Sequence, residues 1–208
     1  MNVEAVTIDG YGTLVTLCDP VPALRAALRA RGVMRTVRET ALAFAAEVEH
    51  YVARSHEGRD ETTLALLRRD CTAVFLEAAG TSIAPESFVA DFMASLRFQE
   101  VPGAMSACHR LSGSGLRLAV VSNWDIGLHE HLAVLGIGRA FDLVVTSAEA
   151  GAAKPAPQIW ELALGRLGVP PSRAVHVGDS TDDAEGAAAA GLRFEPAPLA
   201  AACERILA

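Results

Sequence analysis

VEAVTIDGYGTL, residues 3–14, decides how the rest of the chain is read. An apolar run over residues 3–8 has the length of a buried strand. It ends at Asp9, and Gly10 and Gly12 mark the tight turn that follows. The same rhythm returns after residues 101–103. Segment 102–111 has helical spacing, 116–122 (LRLAVVS) reads as a buried strand and 127–135 as a helix. A strand over 143–146, a helix over 157–167, a strand over 174–177, a helix over 183–190 and a last strand over 191–194 complete the series. Alternating strands and helices imply right-handed crossovers and an α/β core, a mainly parallel sheet flanked by helices. In such open sheets ligands bind beyond the carboxyl ends of the strands. Asp9, Ser122 and Asp179 each stand at or just past a strand end. Thr146 ends another strand, with Lys154 a short loop later, so these polar residues are expected to converge on one edge.

Between the first strand and the rest the pattern changes. VPALRAALRARG, VRETALAFAAEVEHYVARS, ETTLALLRRDCTAVFLEAAG and PESFVADFMASLRF each space their apolar residues as a helix does, with polar breaks near Gly32, Gly58 and Gly80. Residues 17–98 therefore read as an inserted all-helical domain, and residues 1–16 with 99–208 as the core. A chain of 208 residues suits one core plus such an insert. Hydrophobic residues make up 51% and aromatics 5%, so Ala, Leu and Val fill the apolar positions. This favours helices packed on a sheet over a β-sandwich. A net charge of −7 without a basic run argues against nucleic acid or an anionic membrane as the main partner. No charge-free stretch reaches the ~18 apolar residues of a membrane span. The start, MNVEAVTID, has neither the basic region nor the cleavage signal of a secretory leader. Cys18, Cys71, Cys108 and Cys203 are scattered, as expected of reduced thiols in a cytoplasmic protein rather than of disulfides or a zinc site.

The chemistry lies in four segments: Ile8-Asp9-Gly10-Tyr11-Gly12-Thr13-Leu14, Val120-Val121-Ser122-Asn123, Lys154-Pro155, and Val177-Gly178-Asp179-Ser180-Thr181-Asp182-Asp183. Each taken alone has a plain reading: a turn-capping Asp, a polar turn, a surface lysine, a carboxylate at a helix N-terminus. Asp182 keeps that last reading. Together and in this order, the four resemble the motifs of the haloacid dehalogenase superfamily. The resemblance spans the whole chain, with the helical insert in the position of that family's cap. It implies a Rossmann-like core in which Asp9 is a covalent nucleophile, a role suited to a carboxylate already ionised at neutral pH. Thr13 would hold the turn and hydrogen-bond Asp9. Ser122 and Asn123 would hold the oxygens of a phosphoryl group. Lys154 would neutralise the nucleophile and the transferring group as a point charge. It is the only lysine; every other residue among the 18 basic ones is arginine. Asp179 would bind magnesium directly and Asp183 would support it through water, with the backbone carbonyl of Tyr11 as a further ligand. Physically, several carboxylates beside a phosphate dianion repel one another, and a hard divalent cation relieves that repulsion. The expected partner is a small phosphorylated molecule, with Mg2+ as cofactor.

One position departs from the phosphatases of that superfamily. They carry a second Asp two residues after the nucleophile to protonate the leaving group, and Tyr11 stands there instead. A phenol, which titrates near pH ~10 in water, is a poor substitute, and losing a general acid typically costs ~10²–10⁴ in rate. The superfamily's 2-haloacid dehalogenases also have Tyr at this position, because halide leaves without a proton. They generally lack the metal carboxylate, however, and usually place Tyr six residues after the lysine. This chain keeps Gly178-Asp179 and has Trp160 at that later position. Both features favour a metal-dependent phosphatase. A metal-free dehalogenase and a phosphate-binding module with little turnover are the alternatives. A good leaving group, as in an acyl or aryl phosphate, would remove the need for the acid. Asp125, His129 or His56 would otherwise carry the proton. The insert would act as a lid that excludes water. Its residues 55–60, with Tyr51 and Arg54, form either a substrate contact or a solvated loop. Arg25, Arg29 and Arg35 read as surface charges.

Overall fold

The computed structural model describes residues 3–208; Met1 and Asn2, at the head of the N-terminal stretch read above, lie outside the described residues. The strands are β1 (Ala5–Ile8), β2 (Val15–Leu17), β3 (Phe98–Glu100), β4 (Arg117–Ser122), β5 (Leu143–Thr146), β6 (Ala174–Gly178) and β7 (Arg193–Pro196). The helices are α1 (Val21–Ala30), α2 (Val37–Arg54), α3 (Glu61–Ala78), α4 (Val89–Ser95), α5 (Ala104–Gly113), α6 (Leu128–Val134), α7 (Ser147–Ala150), α8 (Gln158–Leu167), α9 (Thr181–Ala189) and α10 (Leu199–Leu207). The chain divides into two compact units, one running to Thr16 and resuming over Gln99–Ala208, the other Leu17–Phe98.

The first unit is α/β. Its five-stranded sheet has the order β5-β4-β1-β6-β7, and the neighbouring strands pair in parallel. β1 lies at the centre with all four residues buried, which is why AVTI is nearly continuous in apolar character rather than alternating. The register sets Ile8 opposite Val120 on one side and Val177 on the other. Ser122 pairs with Thr146. The residues that follow these positions emerge along the same edge of the sheet. Val121 and Val145 pack with Ile159, Trp160, Ala163 and Leu164 of α8, which anchors that helix on the sheet.

The second unit is helical. Leu24, Leu28, Ala43, Phe75, Leu76, Phe88 and Phe92 form its core. Phe75 stacks on Phe88 with ring centroids 6.2 Å apart and meets Phe92 at 5.2 Å. Thr36 with Glu39 and Asp60 with Thr63 make reciprocal capping boxes that start α2 and α3. Arg35 is more than a surface charge. Its guanidinium donates to the carbonyls of Ala79 (2.5 Å) and Gly80 (2.7 Å), satisfying the C-terminal end of α3. No described helix is long and apolar enough to cross a membrane.

Element edges shift where glycine intervenes. α5 starts at Ala104 rather than 102 because Gly103, at φ 82°, precedes it in the left-handed region. The last strand starts at Arg193 because Gly191, at φ 79°, still belongs to the turn after α9. The helix expected from 183 begins at Thr181, where Ser180 caps it. The short pair β2 and β3, which forms a separate two-stranded sheet, and the helices α7 and α10 were not anticipated.

Candidate active site

At the carboxyl edge of the sheet the chain turns sharply after β1. The Asp9 N–H donates to Val177 O at 2.8 Å, continuing the ladder by one residue, and the N–H groups of Leu14 and Val15 both close on Gly10 O. Close approach dictates glycine at several points here. A Cβ on Gly10 would lie 2.7 Å from Ser122 Oγ. One on Gly12 would lie 2.0 Å from Asp179 Oδ2, and Gly12 is also at φ 88°. One on Gly178 would meet Asp183 Cγ at 2.3 Å. Three side chains expected at the site are thus seated against glycine backbone.

Lys154 is the centre of the arrangement and is 6% exposed. Its Nζ donates to Asp9 Oδ1 at 2.5 Å, to Asp183 Oδ1 at 2.6 Å and to Val121 O at 3.1 Å, which uses all three of its protons. Asn123 fixes the loop that carries it: Asn123 Oδ1 accepts from Lys154 N at 2.7 Å and Asn123 Nδ2 donates to Lys154 O at 3.2 Å. The side-chain amide of Asn123, a residue expected beside Ser122 at the phosphoryl group, is engaged with the lysine loop. Ser122 is buried at the end of β4.

One carboxylate oxygen from each of Asp9, Asp179 and Asp183 lies within 4.8 Å of the others. Asp9 and Asp183 are buried and Asp179 is exposed. Burial pushes the Asp9 carboxyl up to about 6; Lys154 opposes this, and the charges of Asp183 and Asp179 add to it. Asp179 is also raised, by partial burial and by Asp183. Burial works against the charge on Lys154, but Asp9 and Asp183 outweigh it and hold the ammonium above its ordinary range. Three carboxylates against one ammonium leave an excess of negative charge. The oxygen donors and that excess fit a hard divalent cation.

Asp183 is tied on both oxygens. Oδ2 accepts from Ser180 Oγ (2.6 Å) and Ser180 N (3.1 Å), making Asp183 the third residue of a capping box on α9. Oδ1 accepts from Lys154 and from His176 Nε2 at 3.0 Å. Burial alone would raise its carboxyl, but His176 and Lys154 hold it well below the usual range. His176 was missed in the sequence, although its signal is visible there: a lone imidazole inside the buried strand AVHVG needs a partner. It is fully buried, and burial pushes its pKa down to about 4.

Other expectations fared differently. The Thr13 hydroxyl does not hydrogen-bond Asp9. Its Oγ1 is buried with no hydrogen-bond partner, while Asp9 Oδ1 accepts from Lys154. Tyr11 is 52% exposed and its ring stands 6.4 Å from that of Trp124. Trp160 lies in the core, edge-on to His176 at 5.0 Å. Among the suggested proton carriers, His129 pairs with Glu149 at 3.3 Å, which raises its pKa. Asp125 is buried and accepts from Gly127 N at 2.6 Å. His56 belongs to the helical unit, in the 3-10 turn Ser55–Glu57, and is half-buried. Asp182 lies in the first turn of α9, as read.

A family model for haloacid dehalogenase-like hydrolases matches residues 3–191. Haloacid dehalogenase-like hydrolase domain-containing protein 3 of Xenopus laevis is 46% identical over 89 residues, 43% of this chain and 36% of that protein. The glyceraldehyde 3-phosphate phosphatase of Methanothermobacter thermautotrophicus is 44% identical over 93 residues, 44% of this chain and 41% of that protein. These matches span less than half the length of either relative. Among solved structures, the L-2-haloacid dehalogenase of Xanthobacter autotrophicus with chloropropionic acid covalently bound superposes with a TM-score of 0.66 at 27% identity. That match covers 92% of this chain and 76% of the dehalogenase.

Proposed function

The chain belongs to the haloacid dehalogenase-like hydrolases, and within that family we propose that it is a magnesium-dependent phosphatase acting on a small phosphorylated metabolite through an aspartyl-phosphate on Asp9. The observation that carries this reading is the meeting of Asp9, Asp179 and Asp183 within 4.8 Å, with the single lysine bonded to two of them. The similarity to a phosphatase, glyceraldehyde 3-phosphate phosphatase, supports it.

Asp9, Asp179 and the carbonyl of Tyr11 would hold the cation, with Asp183 at one remove, since its oxygens are already engaged. When bound, magnesium supplies charge to offset the phosphoryl oxygens and the clustered carboxylates. The remaining steps belong to the chain. Asp9 attacks phosphorus as the bond to the leaving oxygen breaks, and that oxygen departs with the electron pair. Lys154 offsets the charge on Asp9 and the phosphoryl group. Ser122 and neighbouring backbone N–H groups orient the phosphoryl oxygens, and Asn123 orients Lys154. Water then attacks the phosphorus of the intermediate, releasing phosphate and restoring the Asp9 carboxylate. With Tyr11 two residues after the nucleophile, a leaving group that departs as its own anion suits the site best: an acyl or aryl phosphate. The helical unit Leu17–Phe98 occupies the place in the chain of this family's cap.

A screen of acyl, aryl and alkyl phosphates with and without magnesium, on wild type and Asp9→Asn, tests the reading. Turnover that needs magnesium and vanishes in Asp9→Asn supports it. Tight phosphate binding without turnover would point to a binding module. The likeness to a dehalogenase keeps a second reading in play: chloride release from 2-chloropropionate in the presence of a chelator would favour it. Retention of Asp179 beside Asp9 argues the other way, since a halide substrate gives the extra carboxylate nothing to do.

A further inference from the structure

We propose that His176 is a positioning residue, which fixes Asp183 so that Lys154 is shared between Asp183 and Asp9 rather than drawn onto Asp183 alone. This rests on the reading of Asp9 as nucleophile. A carboxylate offers about four acceptor positions, and four donors reach Asp183: Ser180 N and Ser180 Oγ on one oxygen, Lys154 Nζ and His176 Nε2 on the other. Filled in this way, the group has no free rotation about its last bond.

The imidazole is itself clamped. Thr7, its register partner on β1, sets Oγ1 2.9 Å and its carbonyl 3.1 Å from Nδ1. Trp160 meets the ring edge-on at 5.0 Å. Trp160 is in turn packed so closely under α9 that a Cβ on Gly186 would come within 2.3 Å of it. An ionised Asp183 has no proton to give, so His176 Nε2 carries one and donates to Oδ1, while the Thr7 hydroxyl and carbonyl hold the Nδ1 side of the ring. The chain of bonds therefore runs from the middle of the sheet, Thr7 to His176 to Asp183 to Lys154, and ends on Asp9. Without the imidazole, Asp183 Oδ1 would have one donor instead of two. The ammonium would shift toward it and leave Asp9, 2.5 Å away, without its cation.

The sole lysine makes this directly measurable, because protein labelled with 15N-lysine gives one ammonium signal without metal or substrate. The wild type is expected to show a slowly exchanging Lys154 ammonium. The signal should be lost or shifted in His176→Leu and largely restored in His176→Gln, which keeps a donor. Labelling with 15N-histidine should show His176 protonated on Nε2 in the wild type, assigned by its disappearance in His176→Gln. With p-nitrophenyl phosphate and magnesium, kcat should fall ~10–100-fold in His176→Leu with KM little changed, as for other supporting partners of a metal site, and His176→Gln should recover most of it. An unchanged lysine signal and kcat in His176→Leu would overturn the proposal, as would a wild-type His176 protonated on Nδ1 alone. Should His176→Leu fail to fold, the wild-type tautomer and the His176→Gln spectra decide. A wild type without turnover would count against the phosphatase reading, and the two nuclear signals would still judge the role of His176.

Discussion

Asp183 in the α/β unit and Glu47 in the helical unit are both nearly sealed from solvent, at 1% and 5% exposure. Burial raises the pKa of any carboxylate. For Glu47 burial prevails: the group is pushed up to about 7, eased only slightly by a hydrogen bond from Cys71. Asp183 meets an ammonium, an imidazole and a helix N-terminus, and its carboxyl is held low. The difference separates a buried acid that is a burden on the fold from one that is built to stay charged. A carboxylate supplied with donors from several distant segments marks a site; one left to desolvation marks tolerated strain.

The sharpest way to break this contrast is to remove the cation. Lys154→Met leaves Asp9 and Asp183 buried without their counter-charge. Turnover is expected to fall about 10²–10³-fold. Without divalent metal, denaturant melts should show a loss of about 3–5 kcal/mol, the usual cost of breaking a buried pair. A melt unchanged from wild type would show that Lys154 is not what holds the acids together.

Glu47→Gln probes the other half. The Glu47 pKa is about 7 in the folded protein against an ordinary value of 4.5, so between those values the folded state binds more protons. Stability therefore falls as pH rises through that window, and the loss is complete above it. Glu47→Gln should melt like wild type near pH 4 and be more stable by up to about 3 kcal/mol near pH 8. Equal stability at both pH values would show that Glu47 is not desolvated as described.

A smaller effect is expected from Gly12→Ala. The new methyl would run into Asp179 at a positive φ, so the magnesium concentration for half-maximal activity should rise about 10–100-fold while the fold persists. Unaltered magnesium dependence would separate Asp179 from the metal.

Much of this was legible beforehand. Each site strand is an apolar run that ends on a polar residue, so Asp9, Ser122 and Asp179 announced a shared edge, and Lys154 stood out as the only lysine. The strands β2 and β3 were not, since three residues show no period. α10 lies beyond the last strand, which ends on Pro196, and is set off from it by Pro198, so it stands outside the strand-and-helix alternation. The roles of Asn123 and Thr13 depend on which atoms come within reach, and no spacing rule reports that. His176 and Thr7 sit opposite each other in two buried strands, and only the register shows that they are partners.

The covalent step is the centre of the account. Protein mixed with acetyl phosphate and magnesium, quenched in acid and digested, should show one added phosphoryl group on the peptide containing Asp9, and none when magnesium is chelated. Release of phosphate with that peptide unmodified at every quench time, or equal labelling with and without magnesium, would contradict it.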